Sequence, residues 1–544
     1  MFSEPVVGEK FFGREEVLEL LNKRVSALKE GYRQNVALTG PSLAGKSSII
    51  LHFLRTVKEE GFIPIYVEVV KEDFRSFADK FIATLLYNAL HRLGEESDVD
   101  MEMLIDKAGK ALPRTAHAIK QVNTSMDRGE FDEAYIGLLA LTSVLKNEAG
   151  YSCVVILDEF DNLEALGIKN PFLGFGKVIM VQKDTMYIVS SSRNEAIKKI
   201  ISEKLSLLFG NFEVVKVRNF DLVTSRQFLD IRFAGFEIND SLKKFFIAFT
   251  DGNPFYLDRL SARAREFSAE KLSGVIEPDS VADAMLELVY NANGLIHQYL
   301  FNYLLSLLDT KTRDSHMSIL ISIADGRNKR TDIARAIKTK QAEVAKGLLR
   351  LSELGLVSKN GVFYEIDDVM LAFWLKHVYE RRRQLLVDGT FDRLALFSRE
   401  IRSYISAFEE ESREKTPSAR LAELFNAFSN ELVSIESKNI RLPHFTKVEV
   451  KNTADSKEIL AASFRGNFWI VQAFESYAAE SDVIGYIKNT KGIVEKISNK
   501  IIVPLRGIDE NAKLLAKELK ISIWDASTVN RLFGYYNKKR MITL

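Results

Sequence analysis

Ten residues, "TGPSLAGKSS" from Thr39 to Ser48, hold the spacing G-x-x-x-x-G-K-[ST] in Gly40, Gly45, Lys46 and Ser47. In a loop that leaves a strand and opens a helix, such residues cradle phosphate. The backbone N–H groups of residues 41 to 47 (Pro41, without one, Ser42, Leu43, Ala44, Gly45, Lys46, Ser47) point at an anion, and Ser48 follows. Lys46 reaches terminal phosphates and the Ser47 hydroxyl binds Mg²⁺. A second set follows in "CVVILDEFDNL", Cys153 to Leu163, where Asp158 would hold Mg²⁺ through its water shell. Glu159 would orient or deprotonate an attacking water. A third lies in "TMYIVSSSRN", Thr185 to Asn194, ending in Ser190, Ser191, Ser192 and Arg193. Arg193 or one of these serines would reach towards a γ-phosphate; the alternative is a helix-capping serine cluster with a surface arginine.

Elements must bring these groups together. "QNVALTG" before the loop reads as a buried strand, and after it Ile49, Ile50, Phe53, Leu54 and Val57 recur at helical spacing with Gly61 as a stop. "GFIPIYVEVV", Gly61 to Val70, reads as the next strand, followed by about eighty residues of helical pattern forming an elaborated crossover. The apolar run ending in Asp158 is that of a parallel strand buried on both faces, delivering carboxylates to the carboxyl edge of a sheet.

The chain's 544 residues exceed one core and predict three to four domains. Acids and bases nearly cancel, 74 against 75, so a nucleic-acid contact would need a local patch. The lone Cys153 excludes a disulfide framework and fits a reducing compartment. "MFSEPVVGEK" lacks a secretory pattern, and no stretch reaches about 18 uncharged apolar residues. The expectation is a cytoplasmic protein with no membrane partner.

With "FFGREE" (Phe11 to Glu16), the phosphate loop, "VVILDEFD", Arg193 and "GNPF" (Gly252 to Phe255) in this order, the first half resembles the archaeal ATPase family of the STAND class of AAA+ P-loop ATPases. The resemblance implies ATP and Mg²⁺ as cofactors, ATP hydrolysis to ADP, and Gly13, Arg14 and Pro254 closing over the base. A lid sensor arginine would come from Arg259, Arg263 or Arg265.

Helical patterns at 314–325, 331–337 and 341–354, then short strands around "SKNG", read as a winged helix. Lys340, Lys346 and Arg350 would face outward, with Arg327, Lys329 and Arg330 before the second helix. They could neutralise DNA phosphates, or the element could pack on the ATPase module instead. "YERRRQ" (Tyr379 to Gln384) reads as a solvated helix face. From residue 417 the succession of elements resembles the restriction-endonuclease-like fold. Its acid and Glu-x-Lys set would bind a metal, but Gln472 and Phe474 stand where glutamate and lysine are expected, and the second-strand acid would at best be Glu458. The domain therefore reads as catalytically degenerate. The rival set is Glu449, Lys451 and Asp455, with the order of strand and acid reversed.

The expected fold class is multidomain, α/β and α+β: a P-loop AAA+-like parallel sheet (1–217), a helical lid (218–300), a winged helix (301–375), a helical linker (376–416) and a C-terminal restriction-endonuclease-like α/β domain (417–544). The expected function is an ATP-hydrolysing molecular switch acting with DNA and capable of self-association. An ATP-dependent nuclease and a scaffold that never turns over its nucleotide are the alternatives.

Overall fold

The computed structural model describes residues 4–541 except 58–60, 96–99, 206–210, 385–392, 436–437, 453–457 and 492–496. Asp455 lies outside the described residues. The chain divides into two compact units, one ending at Arg218 and the other starting at Asn219.

The first unit is built on strands β1 (Asn35–Thr39), β2 (Phe62–Glu68), β3 (Ser152–Asp158), β4 (Thr185–Ser191) and β5 (Phe212–Lys216). They form one sheet in the order β2-β3-β4-β1-β5, every neighbouring pair parallel. Helices cover both faces, so side chains alternate between two cores. On one face Ala37, Ile65, Val155, Leu157, Tyr187 and Val189 pack with α3 (Phe74–Arg92), α4 (Met101–Ala111), α5 (Pro113–Asp127), α6 (Phe131–Ala149) and α7 (Pro171–Val181). On the other, Val36, Leu38, Val154, Ile156 and Ile188 pack with α1 (Glu15–Lys29) and α2 (Lys46–Thr56). The topology matters for chemistry because β4 sits between β1 and β3. The loop leaving β1 and the acids leaving β3 are thus bridged by the end of β4.

In the second unit, helices Arg313–Ala324, Arg330–Ala336 and Gln341–Glu353 precede an antiparallel hairpin of β6 (Val357–Asn360) and β7 (Phe363–Ile366). A bridge from Lys329 to Phe363 extends it. Another hairpin, β8 (Glu431–Ile435) and β9 (Lys438–Leu442), precedes a five-stranded sheet of β10 (Lys447–Asn452), β11 (Glu458–Phe464), β12 (Asn467–Phe474), β13 (Ile497–Pro504) and β14 (Ser522–Ile523). The first three run antiparallel; β12, β13 and β14 are parallel, with helix Glu480–Lys491 between β12 and β13.

Residues far downstream in the chain hold the β6–β7 hairpin in place. Asn360 accepts from Ser434 N at 2.6 Å and donates to Ser434 O at 3.1 Å. Phe363 stacks on Tyr535 with centroids 4.8 Å apart, and Lys329 pairs with the buried Glu431 at 2.8 Å. At the turn, Gly361 has φ +61°, and a Cβ there would overlap the carbonyl of Leu432.

Two histidines of this unit predict a pH response. His297 Nδ1 accepts from the Trp374 indole at 3.0 Å, which requires an unprotonated ring nitrogen, and burial lowers its pKa to about 4. Burial, with Lys376 and Arg381 nearby, likewise lowers His377 to about 4. The unfolded chain takes up these protons near pH 6.5 and the folded chain only near pH 4, so stability falls as pH drops between those values. Thermal unfolding at pH 7, 5.5 and 4.5 should show a progressive drop of several degrees that His297→Gln reduces.

Candidate active site

The loop between β1 and α2 needs its glycines for two separate reasons. Gly45 has φ +94°, a left-handed backbone that glycine adopts without strain. At Gly40 the constraint is space: a Cβ would overlap the carbonyl of Val217, whose own N–H donates to Thr39 O at 2.7 Å. Leu43 is left-handed as well, with φ +61°. Lys46 is 4% exposed, and its ammonium donates to the loop's own carbonyls, Gly40 O at 3.1 Å and Pro41 O at 2.9 Å. Burial lowers its pKa, while Glu159, Asp158 and Asp161 act in the opposite sense. A buried cation satisfied by neutral carbonyls at the mouth of a helix fits an incoming anion.

The N-terminal segment straps onto this loop and helix. Val6 N donates to Ser48 Oγ at 3.0 Å and Gly8 N to His52 Nδ1 at 3.2 Å, while Phe11 stacks on the His52 ring with centroids 4.0 Å apart. Gly13 has φ +67°. Arg14, also left-handed, donates from Nη2 to Ala44 O at 3.0 Å. Of the two expected base-contacting residues of this segment, Arg14 thus reaches the loop. Pro254 belongs to the second unit, at the first position of helix Pro254–Glu270, where Asn253 caps the N-terminus. There Gly252 leaves no room for a Cβ against the Phe220 carbonyl. Of the arginines expected to offer a lid sensor, Arg263 pairs with Glu287 at 2.7 Å and Arg259 lies 3.6 Å from Asp258.

The acids at the end of β3 occupy different environments. Asp158 is almost fully buried and accepts at Oδ2 from Ser47 Oγ at 2.6 Å. Tyr66 OH also reaches Oδ2, at 3.1 Å, and Oδ1 accepts from Ser190 Oγ and, at 3.1 Å, from Glu159 N. Glu159 has φ +52°, a conformation that turns its side chain off the strand direction. Its carboxylate accepts from Ser192 Oγ at 2.6 Å and Ser192 N at 3.4 Å. Burial raises its pKa, opposed chiefly by Lys46. Arg193, expected to face a γ-phosphate, is ion-paired with Asp161 and donates to Asn162 Oδ1 at 3.2 Å. Ser191 donates to the same Asp161 at 2.6 Å. The end of β4 is therefore fastened residue by residue to the segment 158–162.

Tyr66, His52, Asp161 and Asn162 carry no role that the sequence alone assigns. The alternation of β2 could have marked Tyr66 as facing α2, but which strand lies beside it is not written in β2.

Residues 10–168 match the AAA ATPase domain family. This segment, with the β2-β3-β4-β1-β5 order, gives the first unit a P-loop AAA+ ATPase fold. No curated protein is significantly similar to the chain. Among solved structures, a Walker-type ATPase of Pyrococcus abyssi is 18% identical, with 69% of this chain and 99% of that one covered and a TM-score of 0.45. The Aeropyrum pernix ORC2 protein, in ADPNP and ADP complexes, is 14% identical over 75% and 98%, TM-score 0.44. The Thermotoga maritima RuvB Holliday junction branch migration motor is 14% identical over 67% and 96%, TM-score 0.33. These likenesses are too faint to carry a partner or an activity across.

The remaining candidates lie in the second unit. Lys340, Lys346 and Arg350 are all exposed, Arg350 beside Glu353 at 3.2 Å. Gln472 and Phe474 are both buried on β12, and Gln472 Oε1 has no hydrogen-bond partner among the described residues. Glu449, on β10 opposite Ala461, pairs with Lys447 at 2.6 Å, and Lys451 is exposed. Glu458 accepts from Thr416 Oγ1 at 2.9 Å. Among the described residues no group of three His, Cys, Asp or Glu could hold a metal, and no helix is long and apolar enough to cross a membrane.

Proposed function

We propose that this chain binds ATP at residues 40–48 and hydrolyses it to ADP as a STAND-type nucleotide switch. One observation carries the reading: Ser47 and Asp158, 111 residues apart in sequence, meet at 2.6 Å beside a buried lysine held by the phosphate-binding loop itself. Phosphate oxygens replace the Gly40 and Pro41 carbonyls as acceptors for Lys46, exchanging neutral partners for charged ones. Ser47 and Asp158 are the residues that would hold Mg²⁺, which supplies charge neutralisation at the phosphates. The fit is good because Mg²⁺ takes one or two protein oxygens and completes its shell with water and phosphate. Glu159 orients the attacking water and accepts its proton, and its raised pKa suits that task. Arg193 acts through Asp161 and Asn162, fixing the end of β4. Gly13, Arg14 and Pro254 are the residues that would contact the base, as the family resemblance implies.

The second unit carries the output in this reading. Three helices and a hairpin bridged to Lys329 support a winged helix, and exposed Lys340, Lys346 and Arg350 support contact with DNA phosphates. Because Gly361 sits under Leu432, the contact falls to helix Gln341–Glu353 rather than to the hairpin turn. The antiparallel β10-β11-β12 set followed by a crossover helix and parallel β13 supports a restriction-endonuclease-like domain, and a buried Gln472 and Phe474 support its being degenerate. The setting we infer is the cytoplasm, with self-association part of the switch.

Nucleotide binding and turnover, with and without duplex DNA, test the reading. Lys46→Ala should reduce ATP affinity at least about 100-fold, the loss of a buried charge-assisted contact. A wild-type chain that neither binds nor hydrolyses ATP would sink the proposal.

A further inference from the structure

Asp158 is more fully bonded than a carboxylate awaiting a metal needs to be. Four donors reach it: Ser47 Oγ and Tyr66 OH at Oδ2, Ser190 Oγ and Glu159 N at Oδ1. The donors divide by what each can do next. Ser47 has one proton and two lone pairs, so it can give a lone pair to a cation while still donating to Asp158, and its bond is shared with the metal site. The Glu159 amide belongs to the backbone of the same turn. Tyr66 and Ser190 come from β2 and β4, the strands flanking β3 on either side, and each takes one carboxylate oxygen.

Tyr66 is placed for this by strand periodicity. On β2, Ile65 and Val67 point into the core under α3, whereas Tyr66 packs against the core under α2, the same side as Ile156. Parallel register sets Tyr66 opposite Ile156, two residues before Asp158, and the length of a phenol carries its hydroxyl forward to the carboxylate. A shorter hydroxyl on β2 would not span that offset. The ring is fixed by packing, so its O–H arrives without the freedom of a serine.

We infer that Tyr66 is a positioning residue for the metal–nucleotide site: its O–H holds Asp158 Oδ2 in one orientation, so that the carboxylate keeps its aim when Ser47 becomes a metal ligand. This rests on the ATP and Mg²⁺ reading above. Outer-shell partners of this kind set metal affinity by about 10- to 100-fold without touching the metal.

The test is the Mg²⁺ dependence of binding of a ribose-labelled fluorescent ATP to the full chain, read by fluorescence without turnover. For Tyr66→Phe, affinity in EDTA should stay within about twofold of wild type, since no phosphate contact is lost. The Mg²⁺ midpoint at fixed nucleotide should rise about 10-fold. Ser190→Ala, which frees the other oxygen, should shift the midpoint in the same direction and gives a second route if the phenylalanine chain folds poorly. An unchanged midpoint in both variants overturns the inference, as does an equal loss of affinity in EDTA and Mg²⁺, which would mark a merely structural role. A wild-type chain that binds no labelled ATP overturns the ATP reading itself.

Discussion

Glu159→Gln is expected to leave ATP bound and to lower turnover by about 10²- to 10⁴-fold, the range for removing a general base. The amide fills the same space and can still accept from Ser192 Oγ, the 2.6 Å bond that anchors the carboxylate. It cannot take a proton from water. The backbone at 159 is left-handed, and the side chain swings away from Asp158 towards the end of β4. The two carboxylates thus face different partners, and only Asp158 meets Ser47. Nucleotide affinity by titration and a single-turnover rate, measured on the same preparation, separate binding from chemistry. Turnover within about threefold of wild type would remove Glu159 from the chemistry.

Gly361→Ala should cost the second unit about 2–4 kcal/mol, adding an overpacking term to the penalty of a left-handed alanine. The carbonyl that a Cβ would strike belongs to Leu432 on β8, and β8 cannot retreat freely. Next to it Asn360 grips Ser434 through both its amide oxygen and nitrogen. Glu431, buried at the start of β8, accepts from Lys329 and from Tyr536 at 2.8 Å each. Moving the strand to admit a methyl would stretch all of these bonds together. Denaturant unfolding should show a lower midpoint for the variant, and coincident curves would contradict the packing described.

The phosphate loop and the acidic strand end were legible because their signals are local: glycines at fixed offsets, then an apolar run closed by carboxylates. Sequence also marked Ser190 to Arg193 as a third group at the sheet edge. What it could not supply was pairing. Arg193 looks free in "SSSRN", yet Asp161, thirty-two positions earlier, claims it. That pairing depends on β4 lying between β1 and β3, an order to which no single strand's composition points. Tyr66 went unread for the same reason, since its alternation is visible but its neighbour is not. In the second unit the short helices and strands around "SKNG" show in the pattern of apolar residues. The covering of that turn by a strand about seventy residues later leaves no local trace, and in sequence Asn360 and Gly361 show only as the link between two short strands.

That covering also governs how the chain can be divided. Phe363 is wholly buried and Tyr535, stacked on it, is nearly so, while Asn328 donates to the Tyr535 carbonyl at 2.7 Å. A chain cut anywhere between the hairpin and β8 would bare one face of that stack to water and leave Lys329 and Asn360 without their partners. A fragment ending between the hairpin and β8 is therefore expected to be less stable than the second unit whole, since the hairpin and the strand that covers it lean on the same contacts.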